Sequence, residues 1–497
     1  MATEQQSRYG DFLDRVRRIS NLRSAGMLLS WDQQVMMPEG GTPARSKQLS
    51  TLSALSHELL TADEMAADLD ALEAADLDAD QRAVVRELRR EHDRAASVPA
   101  DLVEEISEVT SEALPVWQES KEADDFDAFA PTLERLIELK REYAAHVDPA
   151  ADPYEVLFAD YEPYLDLDTA ERVLERLRER LVPLIEEIQA SDVELAAPFE
   201  GRYDDETQMV LVRDVLDTLG YPWERGRLDT APHPFMSGTQ FDARVTTRFK
   251  EDDPLDALTA VIHEFGHATY QLGLPAEAYG TPLGQSRDLS VHESQSRLWE
   301  NHVGRSRAFW ELIAPTVNEH LGTAATPEEG YEAANRIYPD NLVRVEADEL
   351  TYHMHVILRF EIERDLIAGD LDVRDVPEAW NERMDAYLGV RPETDAAGCL
   401  QDIHWAHGSF GYFPTYSLGS VLAAQLYAAA ERDLGDVDAR VREGDFDPLR
   451  DWLRERVHRH GQRYTTPELV EEATGEAYTA DHFLDYAETK YGELYDL

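Results

Sequence analysis

The sequence is poor in cysteine and lysine and has no long apolar run. Cys399 is the one cysteine among 497 residues, which excludes an internal disulfide and a cysteine-based metal cluster. No apolar stretch approaches the roughly 18 residues that a membrane-spanning helix needs, and the first residues show no apolar signal core. We therefore expect a soluble, cytoplasmic protein. The lysines are Lys47, Lys121, Lys140, Lys250 and Lys490.

Acidic side chains dominate the charge. There are 101 Asp and Glu against 47 Lys and Arg, so the formal net charge is −54. Such a surface repels phosphate backbones and anionic headgroups, and we expect neither nucleic acid nor a membrane as a partner. Acid-rich, lysine-poor surfaces are typical of proteins adapted to multimolar salt, where the Debye length falls to about 3 Å. We predict a halophilic protein; the alternative is an ordinary acidic cytosolic one.

Apolar residues recur at helical spacing along most of the chain. In one long segment, for which Asp168 is the expected N-cap, they follow three- and four-residue steps around Pro183, which can bend the helix. With 43% hydrophobic residues the chain can bury a sizeable core. The sequence predicts a mainly α fold. Further helical patterns run through residues 12–29, 84–95, 209–219, 343–366 and 418–433.

One segment has the alternation of a strand. Over residues 240–249, Phe241, Ala243 and Val245 alternate with polar residues, as in a half-exposed strand. We therefore expect one small β-sheet, with this segment as an edge strand. Because no internal repeat or long linker interrupts the chain, the simplest organisation is a single large helical body over residues 1–497.

The segment of residues 253–270 has the spacing of a metal-binding helix. Asp253 can cap the helix and Pro254 suits its first position. His263 and His267 are then one turn apart on one face, so both imidazoles can reach a zinc ion. Glu264 projects beside the metal and can deprotonate its bound water. The alternative is a solvated helix face with two histidines that bind no metal.

Catalytic zinc usually takes three protein ligands. The residues after His267 are Ala, Thr and Tyr, which excludes the metzincin pattern, so a carboxylate on a following helix is expected. Glu293, with 25 residues between it and His267, is the leading candidate, and Glu300 is a further one. Glu293 also has the spacing of a capping box with Ser290, which is the structural alternative.

Six short motifs follow one another along the chain: His233-Pro-Phe235, Asp242-Ala-Arg-Val-Thr246, His263-Glu-Phe-Gly-His267, His292-Glu-Ser-Gln-Ser-Arg297, Gln401-Asp-Ile-His-Trp405 and Gly411-Tyr-Phe-Pro-Thr-Tyr416. In this order they resemble the motifs of the carboxypeptidase Taq family, whose members are zinc metallocarboxypeptidases of bacteria, archaea and some protozoa. The resemblance extends over nearly the whole chain, including residues 30–32 and 344–349.

The resemblance implies an enzyme that releases single C-terminal amino acids, with broad specificity, from peptides with a free C-terminus. It implies Zn²⁺, or Co²⁺ as a substitute, on His263, His267 and Glu293, with Glu264 as the base. It also implies a homodimer. We expect residues 1–200 to form one wall of a deep cleft, and residues 201–497 to form the catalytic part with its zincin-like HExxH helix.

An exopeptidase also needs a cation to hold the terminal carboxylate. The resemblance implies Arg344 and Tyr416 as this clamp, since arginine suits bidentate pairing with a carboxylate. The helical pattern of residues 343–359 predicts a rigid base for Arg344. The alternative for Arg344 is a structural ion pair with Glu346 or Asp348.

Further cleft residues follow from the same motifs. His404 and Tyr416 are assigned with Glu264 to catalysis, and Tyr412 and His233 to substrate binding. Arg244 is assigned to substrate binding on the strand, although it could brace the walls instead. Carboxylates commonly accept from the second ring nitrogen of ligand histidines, and Asp288 and Asp402 are our candidates for this role.

Two other functions remain open from the sequence alone. Helical zinc oligopeptidases and dipeptidyl carboxypeptidases share the HExxH pattern, a similarly spaced glutamate and a deep cleft. A protein that binds zinc or a peptide without cleaving it would need the six motifs to be coincidental.

Overall fold

The computed structural model describes residues 2–338 and 340–497. Over these residues the chain forms twenty α-helices and one three-stranded sheet, which confirms the predicted mainly α fold with one small sheet. Within the same ranges no helix combines the length and apolar character needed to cross a membrane.

Nine helices precede the sheet and form the first part of the body. Their amphipathic faces bury leucine, valine and phenylalanine, as in the helix that contains Leu174, Leu177 and Leu181. They are α1 (Ala2–Val35), α2 (Thr42–Leu60), α3 (Asp63–Glu73), α4 (Ala79–Ser97), α5 (Ala100–Ala123), α6 (Phe126–Val147), α7 (Pro153–Phe158), α8 (Leu167–Ala190) and α9 (Asp205–Leu219).

The sheet consists of β1 (Gly226–Thr230), β2 (Met236–Thr239) and β3 (Asp242–Thr247) in the order β1-β3-β2. β3 is parallel to β1 and antiparallel to β2. The predicted strand is present, but its expected edge position is wrong because β3 lies in the centre. Alternation marks which side chains face the core, here Ala243 and Val245, but it does not identify the neighbouring strands.

The remaining helices follow the sheet. A π-helical segment, Leu298–Gly304, continues directly from α11. The helices are α10 (Pro254–Gly273), α11 (Leu289–Arg297), α12 (Arg307–Leu321), α13 (Pro327–Ala334), α14 (Thr351–Ala368), α15 (Val376–Leu388), α16 (Pro414–Leu434), α17 (Val437–Arg442), α18 (Asp447–Arg456), α19 (Thr466–Thr474) and α20 (Asp481–Tyr495).

Two helix starts differ from the sequence prediction. α8 begins at Leu167 with Asp166 as its cap, two residues before the expected cap. The predicted helix from residue 343 is wrong over its first part, because α14 begins only at Thr351. The Asp348 carboxylate accepts hydrogen bonds from the N–H groups of Leu350 and Thr351, which ends the irregular segment before α14.

The hydrophobic core has a large and a small cluster. The large one extends from α5 to α20, and α16 is buried along almost all of its length within it. The small one joins α1, α3 and α4 through residues that include Phe12, Met65 and Leu88. The division at residue 200 into a cleft wall and a catalytic part stays a prediction.

Candidate active site

α10 supplies two histidines and a glutamate to the site. Asp253 caps the helix by accepting from the N–H of Asp256 at 3.3 Å, and Pro254 occupies the first turn, as the sequence predicts. His263 and His267 lie on one face with ring centroids 4.9 Å apart. The helix therefore directs two imidazoles toward the same point.

α11 brings Glu293 to this point. Its Oε2 lies 3.7 Å from Nε2 of His263 and 3.6 Å from Nε2 of His267. Ligand atoms of a tetrahedral ion with bonds of about 2.1 Å are separated by roughly 3.4 Å, so these distances suit such an ion. The described residues that could hold a metal ion as a group are His263, His267 and Glu293.

Two glycines let α11 pack closely between α10 and α16. A Cβ on Gly266 would lie 2.5 Å from the carbonyl oxygen of Gln295. A Cβ on Gly419 would lie 2.5 Å from Cβ and Cγ of Glu293. Since atoms cannot approach this closely, the backbone position of Glu293 depends on the missing side chains of both glycines.

Glu300 orients the first histidine. Nδ1 of His263 donates to Oε2 of Glu300 at 2.9 Å, which leaves the Nε2 lone pair free for a metal. Arg297 donates to both Glu293, at 2.8 Å, and Glu300, at 3.0 Å. Glu300 therefore orients the ligand His263 and does not belong to the group of His263, His267 and Glu293 that could hold a metal ion. The prediction of Glu300 as a further candidate ligand is wrong.

The predicted partners of the ligand histidines are wrong. Asp288 accepts from Arg287 at 2.7 Å and from the hydroxyl of Thr466, while Asp402 accepts from two arginines on the other side of the site. Asp288 directly precedes α11. Its contact with Thr466 and the contacts of Asp402 with Arg344 and Arg359 join residues far apart in the sequence, so local patterns could not predict them. Nδ1 of His267 has no hydrogen-bond partner in the described part of the chain, and its ring stacks on His292 at 4.3 Å.

The capping-box interpretation of Glu293 is also wrong. Ser290 lies inside the first turn of α11, and both its N–H, at 2.5 Å, and its hydroxyl, at 2.7 Å, donate to Glu162. The Glu293 carboxylate instead accepts from Arg297 and faces the two histidines.

Glu264 is buried beside the triad. Its Oε2 has no hydrogen-bond partner among the described residues, and burial raises the pKa of its carboxyl to about 7. A carboxyl group with a pKa near neutrality can both take and return a proton. The side chain lines a cavity of about 700 Å³ together with His263 and Arg344.

Arg344 extends into the same cavity from a short 3₁₀ segment. Nε and Nη2 donate to Asp402 at 3.1 and 2.9 Å, and Nη1 donates to the hydroxyl of Tyr352 at 3.2 Å. The guanidinium also lies 5.5 Å from the ring centre of Tyr416. Its ion-pair partner is therefore Asp402, and the predicted pairing with Glu346 or Asp348 is wrong.

Asp402 joins two buried arginines. Although burial by itself raises the pKa of this carboxyl, Arg359 and Arg344 hold it well below its usual range. Arg359 donates through Nε to Asp402 at 2.5 Å, and through Nη2 to the amide oxygen of Gln401 at 2.7 Å. Asp402 therefore fixes the orientation of the Arg344 guanidinium.

Three aromatic residues of the predicted site lie beside Arg344. The ring of Tyr412 contacts that of Tyr416 at 5.2 Å and that of His404 at 5.6 Å. Burial lowers the pKa of His404 to about 4, so its imidazole is neutral at pH 7. The structure thus brings His404, Tyr412 and Tyr416 together at one wall.

Two predicted substrate residues, His233 and Arg244, do not line the cavity that contains Arg344. His233 is exposed in the turn before β2, next to Pro234, which lines the cavity. Arg244 pairs with Asp242 at 2.6 Å and stacks over the ring of Trp31 at 4.3 Å, so it braces α1 against the sheet. This contact favours the bracing alternative for Arg244.

Two residues that support the site were not predicted from the sequence. The hydroxyl of Tyr352 accepts from Arg344, and this contact depends on α14 beginning at Thr351 and not at residue 343. Glu363 is fully buried and accepts from Nε1 of Trp405 at 3.0 Å and from the N–H of Gly411 at 3.0 Å. A glutamate amid the apolar positions of α14 is a sequence signal for such a role.

Comparison with known proteins gives consistent results over the whole chain. A family model described as Carboxypeptidase Taq (M32) metallopeptidase matches residues 11–491. Thermostable carboxypeptidase 1 of Pyrococcus furiosus is 39% identical over 488 residues, covering 96% of this chain and 97% of that protein. The protein of the same name from Thermus thermophilus is 39% identical over 508 residues and covers 99% of both. The crystal structure of the M32 carboxypeptidase from Deinococcus radiodurans R1 has a TM-score of 0.95 and 39% identity, covering 99% of this chain and 100% of that chain.

Proposed function

The chain belongs to the carboxypeptidase Taq (M32) family and is a metallocarboxypeptidase, and from this premise we propose that it removes single C-terminal amino acids, with broad specificity, from peptides with a free C-terminus. The observation that carries the proposal is the buried Arg344 in the cavity that also contains His263 and Glu264. A cation at this position suits a terminal carboxylate, which an internal peptide bond lacks.

The family is one of metallopeptidases, and we propose zinc as the metal, with cobalt as a substitute. Two imidazoles and one carboxylate are a donor set that zinc uses in catalytic sites, and their separations of 3.6 to 3.7 Å suit a tetrahedral ion. When bound, the ion polarises the scissile carbonyl and lowers the pKa of a water molecule.

The residues around the metal position have distinct roles in this proposal. Glu264, next to the ligand His263 in the chain and lining the same cavity, takes a proton from the attacking water and passes it to the leaving amine. His404 and Tyr416 donate hydrogen bonds to the substrate as negative charge develops on the carbonyl oxygen. Glu300 holds the ring of His263 by accepting from its Nδ1.

Arg344 has one edge of its guanidinium left for the substrate. Asp402 accepts from Nε and Nη2, so the edge formed by Nη1 and Nη2 is the one that an incoming carboxylate can reach. Tyr352 and Tyr416 flank the guanidinium and complete the clamp. Tyr412, in contact with Tyr416, and His233, next to Pro234, are also proposed to contact the substrate.

Main-chain alignment of the substrate is assigned to β2. Extended peptides commonly add to the exposed edge of a sheet, and β2 is the outer strand on the side of Pro234, which lines the cavity. β3 is unsuited to this role because both of its edges are occupied, by β1 and β2.

The test uses one peptide in two forms, with a free and with an amidated C-terminus, incubated with zinc or cobalt in multimolar salt. Mass spectrometry should find a ladder of single-residue losses from the free form alone, abolished by a chelator. Internal cuts in both forms, or dipeptide losses, would instead indicate an oligopeptidase or a dipeptidyl carboxypeptidase. No change in either form would indicate a binding protein.

A Glu264→Gln variant tests the base. It should bind zinc as the wild type does, measured by metal content, while turnover falls by roughly 1,000-fold or more because no carboxylate takes the proton. Unchanged turnover would exclude Glu264 as the base.

We also propose that the chain is a cytoplasmic homodimer without nucleic-acid or membrane partners. The net charge of −54 supports the absence of anionic partners, and the family resemblance supports the dimer. Light scattering after gel filtration, at several salt concentrations, measures the oligomeric state directly.

A further inference from the structure

Exposed apolar side chains are rare on this acidic protein, and several of them border the cleft. Ten large apolar residues are exposed in the described part of the chain. Tyr338 and Val345 line the cavity of Arg344, while Met27 and Leu28 line a second cavity of about 280 Å³. Phe241 packs on Tyr279, which lines this second cavity too. Clustered exposed apolar residues mark a binding surface more often than scattered ones do.

The second cavity is a groove between α1 and β2, which we name the α1–β2 groove. Met27 and Leu28 are 46% and 48% exposed on its α1 side. Nε1 of Trp31, also on this side, is buried without a hydrogen-bond partner among the described residues. Its sheet side is formed by Ser237, Gly238 and Thr239 of β2 and by the ion pair of Asp242 and Arg244 on β3.

β2 connects the groove to the metal position. Pro234, just before β2, lines the cavity of His263 and Glu264, whereas Ser237 and Thr239 line the groove. At about 3.4 Å per residue, the distance from Pro234 to Thr239 is roughly 17 Å, which equals about five residues of an extended peptide. A peptide on the free edge of β2 therefore spans both cavities.

The direction of such a peptide follows from Arg344. Arg344 lies in the cavity at the Pro234 end of β2, so the C-terminal residue of the substrate lies there as well. Upstream residues then run antiparallel to β2, toward Thr239 and α1. Residues three to five positions before the C-terminal residue reach the α1–β2 groove.

We propose that the α1–β2 groove binds upstream substrate side chains, and that Met27 and Leu28 make the enzyme prefer an apolar residue there. This inference rests on the proposed function and names the substrate class of the same site. Because successive side chains of an extended peptide alternate in direction, the preference falls on one or two of the three positions. An apolar side chain covering Met27 and Leu28 removes apolar surface from water, which a serine at that position does not.

The test compares N-blocked hexapeptides that end in the same two residues as a blocked dipeptide. Leu replaces Ser in turn at the third, fourth and fifth position before the C-terminal residue. For each hexapeptide, kcat/KM is divided by that of the blocked dipeptide, which reaches only the metal cavity. In the wild type, Leu should raise this ratio about tenfold over Ser at one or two positions.

A double variant, Met27→Ser with Leu28→Ser, should reduce the Leu-over-Ser ratio to about one. Leu55→Ser is the matched control, because Leu55 is 42% exposed on α2 and does not line the groove. The control should keep the wild-type ratio. Binding of the same peptides to the Glu264→Gln variant, measured by calorimetry, should show the same preference without turnover.

Three results would overturn the inference. The first is an equal kcat/KM ratio for Leu and Ser at all three positions in the wild type. The second is a loss of the Leu preference in Leu55→Ser as well as in the double variant. The third is a double variant that keeps the Leu preference while its oligomeric state changes. The last result would assign Met27 and Leu28 to self-association. Failure to cleave the blocked dipeptide would contradict the proposed function itself, so the two failures are distinguishable.

Discussion

At the residue scale, the two edges of the Arg344 guanidinium have different partners, and Nη1 also donates to the hydroxyl of Tyr352. One edge of its guanidinium is held by Asp402, and the other is available to a substrate carboxylate. Asp402 also accepts from Arg359, so its charge remains compensated when Arg344 is replaced. A substitution at Arg344 therefore tests substrate recognition without leaving an isolated buried carboxylate.

We expect Arg344→Ala to lower kcat/KM for free-ended peptides by about 100-fold or more. The reason is the loss of the buried, hydrogen-bonded charge pair between Arg344 and the terminal carboxylate of the substrate. Arg344→Lys should recover only part of this loss, since an ammonium group cannot form the planar double contact. Steady-state kinetics on blocked dipeptides measures both. Metal content serves as the control and should equal that of the wild type; unchanged kcat/KM would exclude Arg344 as the clamp.

At the element scale, the position of Glu293 depends on how closely α11 packs against its neighbours. Gly266 on α10 and Gly419 on α16 are in contact with α11 on two sides. The carboxylate is therefore placed by packing between helices that are distant in sequence, and a single methyl group is enough to disturb it.

We expect Gly419→Ala to lower zinc affinity by about 10- to 100-fold, because its Cβ would displace the Glu293 side chain. Competition with a chromogenic chelator measures the affinity. Gly10→Ala is the control, since a Cβ on that α1 residue meets no atom within 4 Å. The control should leave zinc affinity unchanged and stabilise the helix by about 0.5–1 kcal/mol. Equal affinities of Gly419→Ala and wild type would contradict the packing explanation.

The loop between His404 and Tyr412 depends on a second element, α14. Both oxygens of Glu363 are used: Oε1 accepts from Trp405, and Oε2 accepts from Gly411 and from the hydroxyl of Tyr154 at 3.1 Å. Burial raises the pKa of Glu363 to about 7. The loop carries His404 and Tyr412, which are proposed to contact the substrate. The hydrogen bonds of Glu363 to Trp405 and Gly411 therefore help to position both residues.

The raised pKa predicts a pH-dependent stability. The folded state holds the Glu363 proton more tightly than the unfolded state, whose pKa is near 4.5. The stability from this proton is thus present below about pH 4.5 and is lost as the pH rises through about 7, by roughly 3 kcal/mol in total. The glutamine in Glu363→Gln does not titrate. In urea unfolding, the free energy of unfolding of the wild type should therefore fall by about 2–3 kcal/mol relative to that of the variant between pH 5 and 8. Parallel stability curves would contradict this.

At the scale of the whole molecule, charge is the main constraint. Even if each of the 47 basic residues paired with one acid, 54 carboxylates would remain without a cation. Their mutual repulsion opposes the compact state at low ionic strength and is screened in concentrated salt.

We therefore expect the midpoint of thermal unfolding to rise by about 10 °C or more from dilute buffer to multimolar KCl, as measured by circular dichroism. Sucrose at matched osmolarity is the control, because it favours burial without screening charge. A transition that is unchanged across this range would show that the acidic surface is not an adaptation to salt.

Sequence patterns predicted most of the secondary structure and the residues at the metal position. They did not predict which strands and side chains lie next to each other in space. The Asp253 cap, the pair His263 and His267, and the mainly α fold with one small sheet follow from local spacing, and the structure contains all of them. The central position of β3, the late start of α14 at Thr351 and the pairing of Asp402 with Arg344 do not follow from it.

Helix periodicity, caps and the i, i+4 spacing of ligands are local properties of the chain, so the amino-acid sequence predicts them. Which charged groups meet depends instead on tertiary packing. Glu300 contacts His263 across 37 residues, and Asp402 contacts Arg344 across 58. Such pairs depend on how helices pack, and the close packing at Gly266 and Gly419 leaves no trace in local periodicity.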